Sequence, residues 1–388
     1  MPHRPGRASR VAALMAGAAL LAGGLSQASP AGAHDDPGAV RSGVRSTTGS
    51  DALLFVPYEG TTAVSWRNGA KSTKTVPATD WTVTGAFSDD STESAFLYNP
   101  GSGPDGLLRT STAGAGPLAL GALQSAPVGG DFRPLVGDFN GDGITDIFWY
   151  AAGTAADYLW LFNASGGHTS RTLSVNGTYR PYVAETDYDI LPGDDDDYTD
   201  DIIWYAPGAG ADSIWDFDQT GGHSTRSITL GGNYIAVTGY FGGPTMDGPS
   251  KGIIWYDQNG ADYLWRFKAN GTHTSQALPN QSGDREPIVG YFTDGGGESV
   301  LWYRPGSASE TLWRFNADGS VAQLESPQVN GTYVSAVGDF NGDGYDDIAW
   351  KGSTTATLWN FNGGGYSQQT ITGLPAGSLV NVIRSSKK

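Results

Sequence analysis

Two nine-residue stretches carry residue types that could do chemistry: Asp138-Phe139-Asn140-Gly141-Asp142-Gly143-Ile144-Thr145-Asp146 and Asp339-Phe340-Asn341-Gly342-Asp343-Gly344-Tyr345-Asp346-Asp347. Each sets side-chain oxygens at positions one, three, five and nine, with two glycines that permit a sharp turn. A backbone carbonyl is available at position seven. Such a mixture of carboxylate, amide and carbonyl oxygens suits a hard dication, and calcium tolerates its irregular geometry better than magnesium does. The candidate calcium ligands are therefore Asp138, Asn140, Asp142, the Ile144 carbonyl and Asp146, and likewise Asp339, Asn341, Asp343, the Tyr345 carbonyl and Asp347. Position twelve is Trp149 or Trp350, where an EF-hand needs a bidentate glutamate, so these are not EF-hands. An Asx-rich turn that binds nothing is the competing reading. Repetition of all four side-chain positions favours the metal.

The loops must be held by what surrounds them, and that is a repeat. After each loop comes a strand, DIFWY from Asp146 or DIAWK from Asp347. The same signature recurs as DIIWY from Asp201, GIIWY from Gly252 and SVLWY from Ser299, with weaker copies DALLF at Asp51 and SAFLY at Ser94. Aligned positions Leu54, Leu97, Trp149, Trp204, Trp255, Trp302 and Trp350 are spaced by 43, 52, 55, 51, 47 and 48 residues, close to the roughly 40–50 that a four-stranded propeller blade needs. A Leu-Trp-x-Phe-type strand follows each signature, and leading and trailing strands complete each unit. Ile147 and Trp149 alternate with Phe148 and Tyr150, so both faces of the strand are apolar, as sheets stacked around a ring require. The expected fold is all-β: a seven-bladed propeller over residues 51–385 with four-stranded antiparallel blades. The first unit lacks a leading strand while 378–383 forms a strand with no unit of its own. The C-terminal strand is thus expected to close the ring by pairing with the first blade.

These loops, GDFNGDGxxDI, closely resemble the FG-GAP or VCBS-type repeat of integrin α-subunit propellers and of many bacterial secreted proteins. In that family the loop carboxylates hold calcium within blades, which implies the same role for the residues named above, and its fold agrees with the count of seven. Some secreted fungal lectins share the propeller and bind sugars between blades. The other units depart from the pattern. Asp187, Asp189 and the run 194–197 precede Asp201 at altered spacing, and leave either a third site or a solvated acidic loop. Tyr240 with Gly252, and Tyr291 with Ser299, replace the first and last ligands in the fifth and sixth units, which are expected to hold no ion. The second keeps Asp90 between Ser88 and Ser94 and is expected to bind nothing.

The ends and the composition bound the rest. Arg4, Arg7 and Arg10, an apolar run 11–21 and Ala31-Gly32-Ala33 have the layout of a secretory signal peptide over 1–33, with a flexible linker over 34–50. Removing that peptide leaves 20 basic residues against 40 acidic ones, a surface that repels nucleic acid. No membrane span is expected, and with no cysteine there is neither a lipoprotein anchor nor a disulfide framework.

Of the 12 tryptophans, ten fall at two recurring positions, which reads as packing between blades rather than as sugar platforms. His168, His223 and His273 recur in Gly-x-His or Gly-Gly-His turns on successive units, too far apart around a ring for one zinc site, and read as rim contacts. No Gly-x-Ser-x-Gly, His-Glu-x-x-His or phosphate loop is present. The expectation is a secreted, monomeric, calcium-binding and non-enzymatic module for an extracellular glycan or cell-surface polymer. The alternatives are a propeller polysaccharide lyase or glycosidase using channel acids, and a protein-adhesion module.

Overall fold

The computed structural model describes residues 50–384 except 91, 113–115, 187–198, 243–250, 269, 296, 307–309 and 325–327. The expected signal peptide and nearly all of the linker lie outside the described residues, as do Asp187, Asp189 and the run 194–197.

The described residues form seven four-stranded antiparallel sheets. In six of them the strands follow chain order from the inside outwards; the third blade runs Arg133–Gly137, Asp146–Tyr150, Asp157–Phe162 and His168–Leu173. In the first blade the inner position is taken by Ser378–Ile383, which pairs antiparallel with Ala52–Pro57 from Ala52↔Ile383 to Pro57↔Ser378. The inner strands Ser378–Ile383, Trp81–Gly85, Arg133–Gly137, Arg180–Ala184, Ile235–Tyr240, Glu286–Gly290 and Val334–Gly338 neighbour one another in an unbroken circuit around the axis. The expected closure is therefore present, and no blade is left with an open inner edge to recruit another chain.

Second strands are buried along their full length, whereas the outer strand His168–Leu173 is exposed at nearly every residue. Seven apolar clusters result, one per blade interface. Ile147 and Trp149 face the second blade with Phe96 and Tyr98, while Phe148 and Tyr150 face the fourth with Trp204. Trp149, Trp204, Trp255, Trp302 and Trp350 are at most 2 % exposed and meet the second-position tryptophans edge to face, as in Trp302 against Trp313 at 5.1 Å. Their indole Nε1 atoms have no hydrogen-bond partner among the described residues. Such an orphan costs about 1–3 kcal/mol. Burying an indole of 150–250 Å² returns roughly 4–6 kcal/mol at 25 cal/mol per Å², so packing wins.

Candidate metal loops and blade-edge sites

Each candidate loop joins an inner strand to a second strand, so the loops sit at one end of the axis. In the first, the left-handed Gly141 and Gly143 (φ 68° and 77°) wrap the chain around the Asp138 carboxylate. Its Oδ2 accepts from the Gly143 amide at 2.7 Å and its Oδ1 from the Asp142 amide at 3.2 Å. Asp142 Oδ1 accepts from the Ile144 amide at 2.9 Å, and Asn140 Nδ2 donates to Asp142 Oδ2 at 3.1 Å. The Asn140 Oδ1 is buried with no donor among the described residues. Asp146 lies deeper: the Phe139 amide donates to one carboxylate oxygen at 3.1 Å and the Phe162 amide to the other at 2.8 Å.

The second loop repeats this. Asp339 accepts from the amides of Gly342, Asp343 and Gly344, Asp343 from that of Tyr345, and Asp347 from Phe340 and Phe361, both at 2.9 Å. Here Asn341 Oδ1 accepts from the Asp343 amide at 2.8 Å. The Tyr345 hydroxyl reaches across to Asp294.

Burial pushes Asp146 up to about 9 and Asp347 to about 8; the neighbouring Asp138 and Asp142, or Asp339 and Asp343, push the same way against the donated amides. Among the described residues no three carboxylates or imidazoles are grouped as a metal cluster, and Asp146 and Asp347 each accept two backbone amides. The donor set nevertheless fits a hard cation. It is all oxygen, its carboxylates crowd one another, and in the first loop an amide oxygen is left without a donor. In the second unit, Asp90 takes a hydrogen bond from Ser88 and an ion pair from Arg109 at 2.9 Å, so its charge is already met.

Other acids serve the contacts between blades. In six of the seven blades the residue just before the second strand is described, and it clasps the preceding blade. Asp51 accepts from the Asp339 amide and donates its own amide to the Asp339 carbonyl. Asp200 does so with Asp138, Glu298 with Tyr240, Asp346 with Tyr291 and Glu93 with Arg384. In the third blade Thr145 does the same toward Ala86 through its hydroxyl, so the position needs an acceptor rather than an acid. Asp51, Glu93, Glu298 and Asp346 also surround the Arg384 guanidinium, and these negative charges raise its pKa against burial. Acids thus do converge on a basic partner at this end of the channel, but each is committed to a backbone amide of the preceding blade.

At the other end, Asp105, Asp157, Asp212 and Asp262 each accept two backbone amides, as Asp157 does from Ala151 and Val175, and tie two loops together. The signal was in the sequence: an acid or threonine stands immediately before ALLFV, SAFLY, DIFWY, DIIWY, SVLWY and DIAWK.

On the outer strands, His168, His223 and His273 stack flat on Trp160, Trp215 and Trp265, with centroids 3.8–3.9 Å apart and planes within 17°. Burial lowers all three imidazole pKa values. Tyr366 covers Trp359 in a similar place and is 37 % exposed. The tryptophans are therefore no sugar platforms, but their caps present an outward aromatic face. Beside two of these caps an arginine from the preceding blade reaches the adjoining turn. Arg109 donates to the Ser165 carbonyl at 2.6 Å, and Arg226, ion-paired with Asp216, donates to that of Gly271.

Residues 331–366, which contain the second loop, match the FG-GAP repeat family. No curated protein matches the chain. Among solved structures it is similar to one describing specific recognition of non-reducing terminal N-acetylglucosamine by an Agrocybe aegerita lectin, with TM-score 0.66 and 14% identity over 88% of this chain and 97% of that one. It is also similar to a protein from Lactobacillus plantarum, with TM-score 0.55 and 12% identity over 86% of this chain and 99% of that one. At such identities the likeness speaks to the fold alone.

Proposed function

We infer that the chain is an exported, monomeric binding module whose blade edges engage an extracellular glycan and whose two complete loops take up calcium. The observation that carries the reading is the recurrence of one outward aromatic cap on successive blades, His168, His223 and His273 each on its tryptophan. A sugar ring packs its C–H face on such a surface, and a neighbouring guanidinium such as Arg109 or Arg226 supplies donors to hydroxyls. Repetition around a rigid disc gives several equivalent contacts, so weak single sites add up on a polymer. The likeness to a propeller that recognises N-acetylglucosamine supports a glycan as the ligand class.

Calcium would be held by Asp138, Asn140 and Asp142 with the Ile144 carbonyl and Asp146, and by Asp339, Asn341 and Asp343 with the Tyr345 carbonyl and Asp347. Its charge offsets the crowded carboxylates and ties each inner strand to its neighbour; it has no chemical step to perform. Within the seven inner strands Glu286 is the one carboxylate, so these strands by themselves supply no acid pair to the channel wall.

The test is a glycan array probed with calcium and then with chelator. Specific signals that weaken with chelator and disappear in a His168→Ala, His223→Ala, His273→Ala variant are expected. A blank array from folded protein, or binding indifferent to the three histidines, would overturn the glycan assignment.

A further inference from the structure

The channel end opposite the candidate metal loops is lined by the first residues of the inner strands. Going round the ring these include Trp81, Arg133, Arg180, Ile235 and Glu286. Arg133 and Arg180 open adjacent inner strands, and the Tyr182 ring lies close enough for both charges to act on its hydroxyl. Arg180 donates to the side-chain oxygen of Asn233 at 3.0 Å and to the Tyr234 carbonyl at 3.2 Å, both neutral acceptors. Arg133 is part-exposed and has no hydrogen-bond or carboxylate partner among the described residues; the surrounding protein lowers its pKa, with Arg180 adding to the effect. Glu286 accepts from the Ser335 hydroxyl at 3.3 Å instead of answering either arginine.

That pairing is unusual for a chain with 40 acidic residues against 23 basic ones. Where a buried guanidinium is structural it is matched, as Arg384 is by a ring of carboxylates at the other channel end. Two adjacent guanidinium groups with no carboxylate between them repel each other, and a counter-charge arriving from outside would relieve that repulsion. Guanidinium is planar and always charged, and its parallel donors suit the paired oxygens of a carboxylate or phosphate.

We propose that this channel mouth is a binding site for an oxyanion, a carboxylate or a phosphate group, engaged by Arg133 and Arg180 together. The site lies beyond the blade-edge reading and stands or falls independently of it, since the loops and aromatic caps share no residue with it.

Isothermal titration calorimetry of the whole chain at low ionic strength tests it with sodium glucuronate, glycerol 1-phosphate and neutral glucose as probes. Binding of glucuronate or of the phosphate is expected, with no heat from glucose, and the anion that binds identifies the source of the group. Affinity is expected to weaken with added salt and to fall by about tenfold or more in Arg133→Gln, Arg180→Gln. Arg133→Gln is also expected to melt no lower than the parent, because it removes a charge that has no carboxylate partner and lies beside a like charge. No heat from either anion, equal heat from glucose, unchanged affinity in the double variant, or a lower melting temperature for Arg133→Gln would each overturn the proposal.

Discussion

Glu93 and Arg384, 291 residues apart in the chain, exchange two backbone-directed hydrogen bonds: the Glu93 amide donates to the Arg384 carbonyl at 3.2 Å and the Arg384 amide donates to Glu93 Oε2 at 3.0 Å. The clasp ties the last inner strand to the second blade, just where the ring has no covalent continuity. The same two-bond pattern joins Asp200 to Asp138 and Asp51 to Asp339.

Arg384 also supplies the positive charge that four clasping carboxylates surround. Arg384→Ala removes one partner from a buried set and is expected to destabilise the fold by about 3–5 kcal/mol, with a smaller loss for Arg384→Lys. The denaturant midpoint measures this. An unchanged midpoint for Arg384→Ala would mean that the ring closes without the charge.

Calcium is expected to raise the thermal midpoint and chelator to lower it, by about 2.7 kcal/mol of stability at a hundredfold excess over the dissociation constant. Asp138→Ala with Asp339→Ala should abolish the shift. Asn140→Ala is the sharper probe: its Oδ1 has no donor among the described residues, so the substitution should weaken calcium titration while leaving the chelated protein nearly as stable as before.

Packing and surface aromatics should separate cleanly. Trp302 is fully buried, and Trp302→Ala is expected to cost about 3–5 kcal/mol in chemical denaturation. His168 is exposed on its outer face, so His168→Ala should change stability by no more than about 0.5 kcal/mol while lowering glycan signal. Equal losses of stability would argue that the cap is part of the core.

Burial raises the Glu286 pKa from 4.5 to about 7, with the Ser335 hydroxyl opposing and Asp284 adding. A folded pKa above the unfolded one means that the favourable contribution is full below pH 4.5 and is lost as pH rises through about 7. The melting temperature of the parent should therefore decline between pH 5 and pH 8 more steeply than that of Glu286→Gln. Identical slopes would show that Glu286 ionises freely in the folded chain.

Much of this was legible in the chain because repetition amplifies weak signals. The signatures around Trp149, Trp204, Trp255, Trp302 and Trp350 fixed the blade count, their alternation assigned Ile147 and Phe148 to opposite interfaces, and the unmatched strand 378–383 announced the closure. The loops at Asp138 and Asp339 could be recognised because their oxygen positions lie within nine consecutive residues, where local spacing alone determines which side chains can share a turn.

What the sequence by itself determined was this local and periodic part: strands, blades, loop chemistry and the ring they imply. Only the tertiary structure decided which charges meet. Glu93 and Arg384 lie at opposite ends of the chain, and Arg133 and Arg180 are separated by a whole blade, yet curvature of the ring brings each pair together. It also decided that most acids among the described residues accept backbone amides, since whether a carboxylate faces an ion, an amide or water depends on through-space distance and burial, which no spacing along the chain encodes.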